Sequence, residues 1–241
     1  MSKKPTHRGV APEDGELFET RHQPALRAAM QDLCWLLDRD YALQSAVELV
    51  GNRYNLTARQ RLALKRCACT ASAQADRLAR QAPLEALRGE MLWLDGFNVL
   101  LAVEVALSGG VILRGRDGCY RDVAGVHAHY HRVVETEPAL RLIAQVTRQF
   151  GVIECRWYLD RPVSNSGRLK RMMLDLAEAE GWPWQVELVL NPDHVLVHSE
   201  SLVATADSAV LDRCRRWVNL AGWIIHHHAP MARVVDLCFR S

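Results

Sequence analysis

The chain has 241 residues, 49% of them hydrophobic and 24% charged, and 30 Lys and Arg against 28 Asp and Glu leave a net charge of +2. This excludes collagenous, mucin-like and wholly disordered chains, and also a polycation that meets nucleic acid or membrane by bulk charge alone. No run approaches the roughly 18–20 apolar residues of a bilayer span, and the start lacks the apolar centre of a secretory signal, so a cytoplasmic protein without membrane contact is expected.

Residues 1–20 read as a flexible tail. From Pro24, Leu26, Met30, Leu33 and Leu37 recur at helical spacing, and Leu43, Val47 and Val50 continue the pattern to a stop at Gly51. Asn52–Leu56 is turn-like, after which Thr57-Ala58-Arg59-Gln60 forms a capping box that opens a third helix running to about Arg80. Residues 51–80 carry seven basic side chains against Asp76 alone, whereas from 91 onward the charges nearly balance. A boundary near 83–90 therefore divides a small helical domain, 21–88, from an α/β domain, 89–241. Three helices with a basic last one invite a helix-turn-helix reading. However, Arg59 with Arg66, and Arg61 with Lys65, flank an apolar seam of Leu64, Cys67 and Ala71, where a single reading face would gather them. The module is expected to guide substrate or control access. The seven cysteines include no CxxC pair and read as reduced, mostly buried thiols.

The second half alternates strand and helix. Met91–Leu94 reads as a buried strand, Val99–Leu107 as a helix, and Val111–Arg116 with Cys119–Val123 as a hairpin around a two-residue Asp117-Gly118 turn. Residues 125–149 read as a helix interrupted at Pro138, Val152–Leu159 as a strand, Ser166–Glu180 as a helix and Trp184–Leu190 as a strand. Ser201–Ala206 reads as a short strand, followed by a helix to about Asn219 and a last strand around Trp223–His226. The alternation predicts an α/β fold with a three-layer, mostly parallel sheet behind an all-α domain.

In such sheets ligands collect at the carboxyl ends of the strands. Asp95, Asp160 and Asp207 each end a predicted strand, so three carboxylates reach one edge. Their mutual repulsion calls for divalent cations with oxygen ligands, Mg2+ or Mn2+ by preference. The plainer explanation, that each Asp caps the helix behind it, suits one such residue better than three. Asn98 could orient a carboxylate or a metal-bound water. After Asp160, a segment with Arg161, Ser164, Asn165, Ser166, Arg168 and Lys170 combines small polar side chains, a helix start and cations, and reads as a phosphate-binding surface, unless Ser166 is only a helix cap.

These residues resemble a family. Asp95-Gly96-Phe97-Asn98-Val99-Leu100 is similar to the Asp-x-x-Asn opening strand of PIN-like and NYN ribonuclease domains, and Ala204-Thr205-Ala206-Asp207-Ser208 looks like their late strand that delivers another metal-binding Asp. The whole chain looks like a prokaryotic family of unknown function in which a small helical domain precedes a PIN-like domain. The resemblance implies a metal-dependent phosphodiesterase acting on RNA. Asp95, Asp160 and Asp207 would be its metal ligands, Asn98 its polar helper and Ser208 a neighbouring substrate contact. Family members often carry a further acid. Glu104, Asp122, Asp193 and Asp212 compete for that role, and Asp193 is favoured because it follows a strand.

Other signals are weaker. His127, His129 and His131 lack the Glu of a zinc protease helix, and His226-His227-His228 would alternate across the last strand. Trp182 and Trp184 read as packing residues. The expected function is RNA hydrolysis, and the alternative is a catalytically degenerate RNA-binding or protein-interaction module on the same fold. RNA is the expected partner, and self-association is compatible with the composition.

Overall fold

The computed structural model describes residues 6–8, 13–123 and 130–239. His127 and His129 lie outside these. Near the N-terminus, α1 (Asp14–Leu17) leads into α2 (Gln23–Leu37), α3 (Leu43–Arg53) and α4 (Ala58–Cys67). The capping box that opens α4 is present: Thr57 Oγ1 accepts from the Gln60 N–H at 3.3 Å, and the Thr57 N–H reaches Gln60 Oε1 at 3.1 Å. The third helix does not run on to Arg80. Thr70 caps a separate helix, α5 (Ala71–Arg80), its hydroxyl accepting from the Ala73 N–H at 3.0 Å. Residues 13–20 are not a loose tail, because Phe18 is buried with α2 to α4 and Asp14 is held by Arg59.

The second half contains β1 (Met91–Asp95), α6 (Gly96–Leu107), β2 (Val111–Arg114), β3 (Tyr120–Asp122), α7 (Thr136–Gln149), β4 (Glu154–Asp160) and α8 (Ser166–Glu180). It continues through β5 (Trp184–Val189), α9 (Pro192–Val197), β6 (Leu202–Ala204), α10 (Ser208–Leu211), β7 (Trp217–Val218), α11 (Leu220–His228) and β8 (Arg233–Asp236). The main sheet is parallel throughout, in the order β5-β4-β1-β6-β7. Alternation along its strands sorts the two faces. Leu92, Leu94, Trp157, Leu159 and Val186 face α6, α7, α8 and α11, while Trp93, Tyr158, Val203 and Trp217 face the short helices α9 and α10.

Several boundaries differ from expectation. Trp223–His226 belongs to α11, not a strand, and Asn219 caps that helix by accepting from the Gly222 N–H at 3.1 Å. The last strand of the main sheet is Trp217–Val218 instead. The helix at 136 begins with Pro138 in its first turn, where a missing N–H breaks no helical bond, so proline does not interrupt it. The hairpin closes through Gly115–Gly118 rather than two residues, with the Gly118 N–H on the Gly115 carbonyl at 2.9 Å and Gly118 at φ +76°.

That hairpin belongs to a second sheet, ordered β3-β2-β8, with β2 antiparallel to β3 and parallel to β8. Val111, Leu113, Val123, Val235 and Leu237 join Leu26, Leu33, Val50 and Leu64 in one core, so the helical half and the small sheet are packed as a unit. The Arg116 N–H donates to the Cys67 carbonyl at 3.0 Å, and its guanidinium to the Cys69 carbonyl at 2.7 Å.

Gly96 lets the start of α6 lie close against β4. A Cβ there would stand 2.7 Å from the Tyr158 carbonyl and 2.5 Å from Leu159 Cδ2. Gly96→Ala should destabilise the protein by about 1–3 kcal/mol through overpacking, because α6 must lift off β4. Urea denaturation measures this, and a loss within ~0.3 kcal/mol would mean that the corner yields freely.

Candidate functional site

Asp95 ends β1, Asp160 ends the adjacent β4, Asp207 follows β6 on the other side of β1, and Asp193 opens α9 after β5. All four line one cleft of about 190 Å³, together with Asn98 from the first turn of α6. Beside the apolar Phe97 and Leu101, two charged residues outside the expected site join the lining: Asp122 at the end of β3, and Arg66 in the last turn of α4. Their ion pair is 3.6 Å long.

Asp95 is the most enclosed acid. Its Oδ2 accepts from the Thr205 hydroxyl at 2.7 Å, and Thr205 is itself buried on the neighbouring strand. Burial, followed by the charges of Asp207, Asp193 and Asp160, pushes the Asp95 carboxyl up to about 8 against the opposing Thr205 bond. Burial raises Asp160 and then Asp207 adds to it; burial raises Asp193 and then Asp207 and Asp160 add to that. The acids therefore repel one another across the cleft.

Helix capping accounts for one of them. Asp207 Oδ1 accepts from the Ala209 and Val210 N–H groups at 2.7 and 3.2 Å. Asp95 occupies the N-cap position of α6 without making a cap bond, and the cap position of α8 is Asn165 rather than Asp160. Asn191 caps α9, accepting from the His194 N–H at 3.2 Å, so Asp193 is not needed there.

Residues 84–223, more than half of the chain, match the family described as Domain of unknown function (DUF5616). The chain belongs to the DUF5616 family. Residues 25–80 match a second description, Protein of unknown function (DUF434). The chain is similar to an uncharacterized protein of Methanocaldococcus jannaschii, MJ0935, at 30% identity over 189 residues, which is 78% of this chain and 89% of the relative. No solved structure matches.

The DUF5616 region supplies every aspartate of the cleft, and the DUF434 region supplies Arg66. Two of the rival acids are engaged elsewhere. Glu104, fully buried, accepts from the Tyr130 hydroxyl at 2.7 Å, the Thr136 hydroxyl at 2.6 Å and Arg8 Nε at 2.8 Å, and Asp212 pairs with Arg77 at 2.6 Å. As placed, no group of three or more His, Cys, Asp or Glu among the described residues is gathered so as to hold an ion. Among the described residues the lining offers carboxylate oxygens and an amide and no imidazole or thiolate, a donor set that would suit a hard divalent cation such as Mg2+ or Mn2+.

The expected phosphate-binding segment is divided. Arg161 and Arg168 are exposed and Lys170 half-buried, but Ser166 is buried and donates to the Arg161 carbonyl at 3.3 Å. Ser166 is thus neither the helix cap nor placed to meet a ligand. Asn165, at φ 67°, donates its amide to the Tyr130 carbonyl at 2.8 Å. With Arg168 it lines a separate cleft of about 570 Å³ beside His131 and Met172. Ser164 lies in the loop before α8, its carbonyl accepting from the Tyr130 N–H at 3.3 Å. Ser208 stands 3.5 Å from Arg77 Nη1. His226–His228 sit on α11, His227 stacked on Trp223 at 4.2 Å, and Trp182, Trp184 and Trp157 pack in series.

Thr205 and Arg66 are the site residues that sequence reasoning missed. Thr205 was visible only as one residue of the Ala204–Ser208 run. Arg66 was one cation among several on its helix.

Among the described residues no helix is long and apolar enough to cross a membrane.

Proposed function

We propose that the protein is a Mg2+- or Mn2+-dependent ribonuclease whose scissile phosphodiester enters the aspartate cleft. One observation carries this reading: four aspartates from four separate elements line a single cleft at the carboxyl edge of a parallel sheet. The likeness of Asp95–Leu100 and Ala204–Ser208 to PIN-like and NYN domains supports RNA as the substrate. A divalent ion held by Asp95, Asp160 and Asp207 would neutralise phosphate charge and acidify a water. The chain does the positioning. Thr205 fixes the Asp95 carboxylate, the start of α10 fixes one oxygen of Asp207, and Asn98 offers an amide to the cleft. Asp193, half-buried and raised above the ordinary carboxylate range by burial and then by Asp207 and Asp160, would be the group that takes a proton from the attacking water. Arg161, exposed directly after β4, gives the RNA backbone a cationic approach, with Arg168 and Lys170 further along in α8.

The test uses chelator-treated full-length protein and 5′-labelled RNA oligomers. Cleavage is expected with Mn2+, none with EDTA, and Asp160→Asn should slow it by on the order of 100-fold. RNA binding without cleavage in either metal would support the non-catalytic RNA-binding alternative. Equal cleavage by wild type and Asp160→Asn would point to a contaminating nuclease.

A further inference from the structure

We propose that Arg66 binds the phosphate that enters the aspartate cleft, so that the helical half of the chain completes a site otherwise built on the main sheet; this rests on reading the cleft as a phosphodiester site. The cations of α4 divide by what they touch. Arg59 grips Asp14 through two bonds of 2.7 and 2.8 Å. Arg61 donates to the Leu56 carbonyl and to Asn52, each at 2.9 Å, and Lys65 reaches Gln44 at 3.4 Å. Arg66 lines the cleft, its side chain 27% exposed, and its contact with Asp122 at 3.6 Å exceeds hydrogen-bond length.

A guanidinium so held can exchange one anionic partner for another at little cost. Its planar fork matches two phosphate oxygens, and charge-assisted bonds of that kind are the stronger sort. The cleft has a use for such a group. Asp95, Asp122, Asp160, Asp193 and Asp207 together repel a phosphodiester, and among the described residues Arg66 is the cation in the cleft lining. Because α4 packs on β2 in the shared core, the group is delivered on a rigid element rather than a loop.

The experiment measures binding of a fluorescein-labelled, phosphorothioate-substituted single-stranded RNA 12-mer to full-length protein in Mg2+ by anisotropy, across a salt series. Wild type is compared with Arg66→Ala, Arg66→Lys and Lys65→Ala, the last removing the same charge from the next position on the helix. Arg66→Ala is expected to weaken binding about tenfold and to lower the salt slope by about 0.7, the value of one phosphate contact on a single strand. Arg66→Lys should keep the slope, and Lys65→Ala should change affinity less than about twofold. If the alanine variant melts early, Arg66→Gln, which keeps the aliphatic stem, gives the same comparison. Arg66→Ala behaving like Lys65→Ala, or no binding of the 12-mer by wild type, overturns the proposal. Cleavage of the unmodified 12-mer with Mn2+ is followed in parallel. An Arg66-dependent slope without cleavage would sink hydrolysis and keep the phosphate contact, whereas cleavage with an unchanged slope would do the reverse.

Discussion

Asp95→Asn is expected to abolish metal-dependent cleavage and, in the same preparation, to make chelator-treated protein more stable above pH 8. The carboxyl sits at about 8 in the folded protein against an ordinary 3.8, raised by burial and by three acidic neighbours. The folded state therefore binds the Asp95 proton more tightly than the unfolded chain does. Below about pH 4 both states are protonated and the site costs nothing. As pH rises toward 8 the unfolded chain gives up its proton first, and stability falls by up to about 6 kcal/mol, at 1.4 kcal/mol for each unit between the two values. Asparagine removes that slope. It keeps an acceptor for the Thr205 hydroxyl and offers amide hydrogens to the surrounding carboxylates. Thermal melts in EDTA at pH 5.5, 7 and 9 should show wild type losing stability with rising pH and the variant nearly flat over the same interval. Parallel curves would mean that Asp95 ionises as an ordinary carboxylate, and undiminished cleavage would remove it from the reaction.

Asp117→Ala should be the most damaging substitution outside the cleft. Asp117, buried at the hairpin turn, accepts from Arg121 through two bonds of 2.8 and 2.7 Å and from Arg77 at 2.5 Å, and all three side chains are at least 95% enclosed. Removing the carboxylate leaves the buried Arg121 guanidinium without an anionic partner and Arg77 with Asp212 alone, at a cost of about 3–5 kcal/mol. Although its own burial opposes ionisation, the two arginines hold Asp117 down at about 2. Its stabilising contribution is thus complete above about pH 4 and is lost as pH falls toward 2. The damage should also reach the site. Arg121 Nε donates to the Ala206 carbonyl at 2.7 Å, one residue before Asp207, and the Arg77 carbonyl accepts from Trp217 Nε1 at 2.8 Å. Urea unfolding at pH 7 measures the loss. A change under about 1 kcal/mol would show that the arginines find other partners.

The sequence made the main sheet legible where local pattern and burial agree. Apolar runs closed by a single Asp marked β1, β4 and β6, because a parallel strand is buried on both faces and its carboxyl end meets solvent. Asp193 was readable because Asn-Pro-Asp follows β5. Asp122 was weighed but had no decisive spacing, since its position depends on β3 folding back beside α4. Trp223-Ile-Ile-His226 misled because a short apolar run fits strand and helix equally; Asn219 capping through Gly222 decided it. Ser166 looked available on composition alone, yet its hydroxyl is turned inward to the Arg161 carbonyl. Arg66 was the least legible, because its place depends on α4 docking against a hairpin that closes some fifty residues later.

The small β3-β2-β8 sheet bears on how such a chain can be inherited. The two family matches meet between residues 80 and 84, which in sequence is a natural place for gene fusion or fission. In space the join lies elsewhere, because Val111 and Leu113 from the middle of the chain and Val235 and Leu237 from its end are packed among α2, α3 and α4. Recombination at 80–84 would pair a helical half with β strands selected against a different partner, leaving mismatched apolar surfaces. The connection itself can vary in length and composition without that cost. Lineages should therefore exchange the two halves together, with substitutions at Leu64 or Val50 tracking those at Leu113 or Val235.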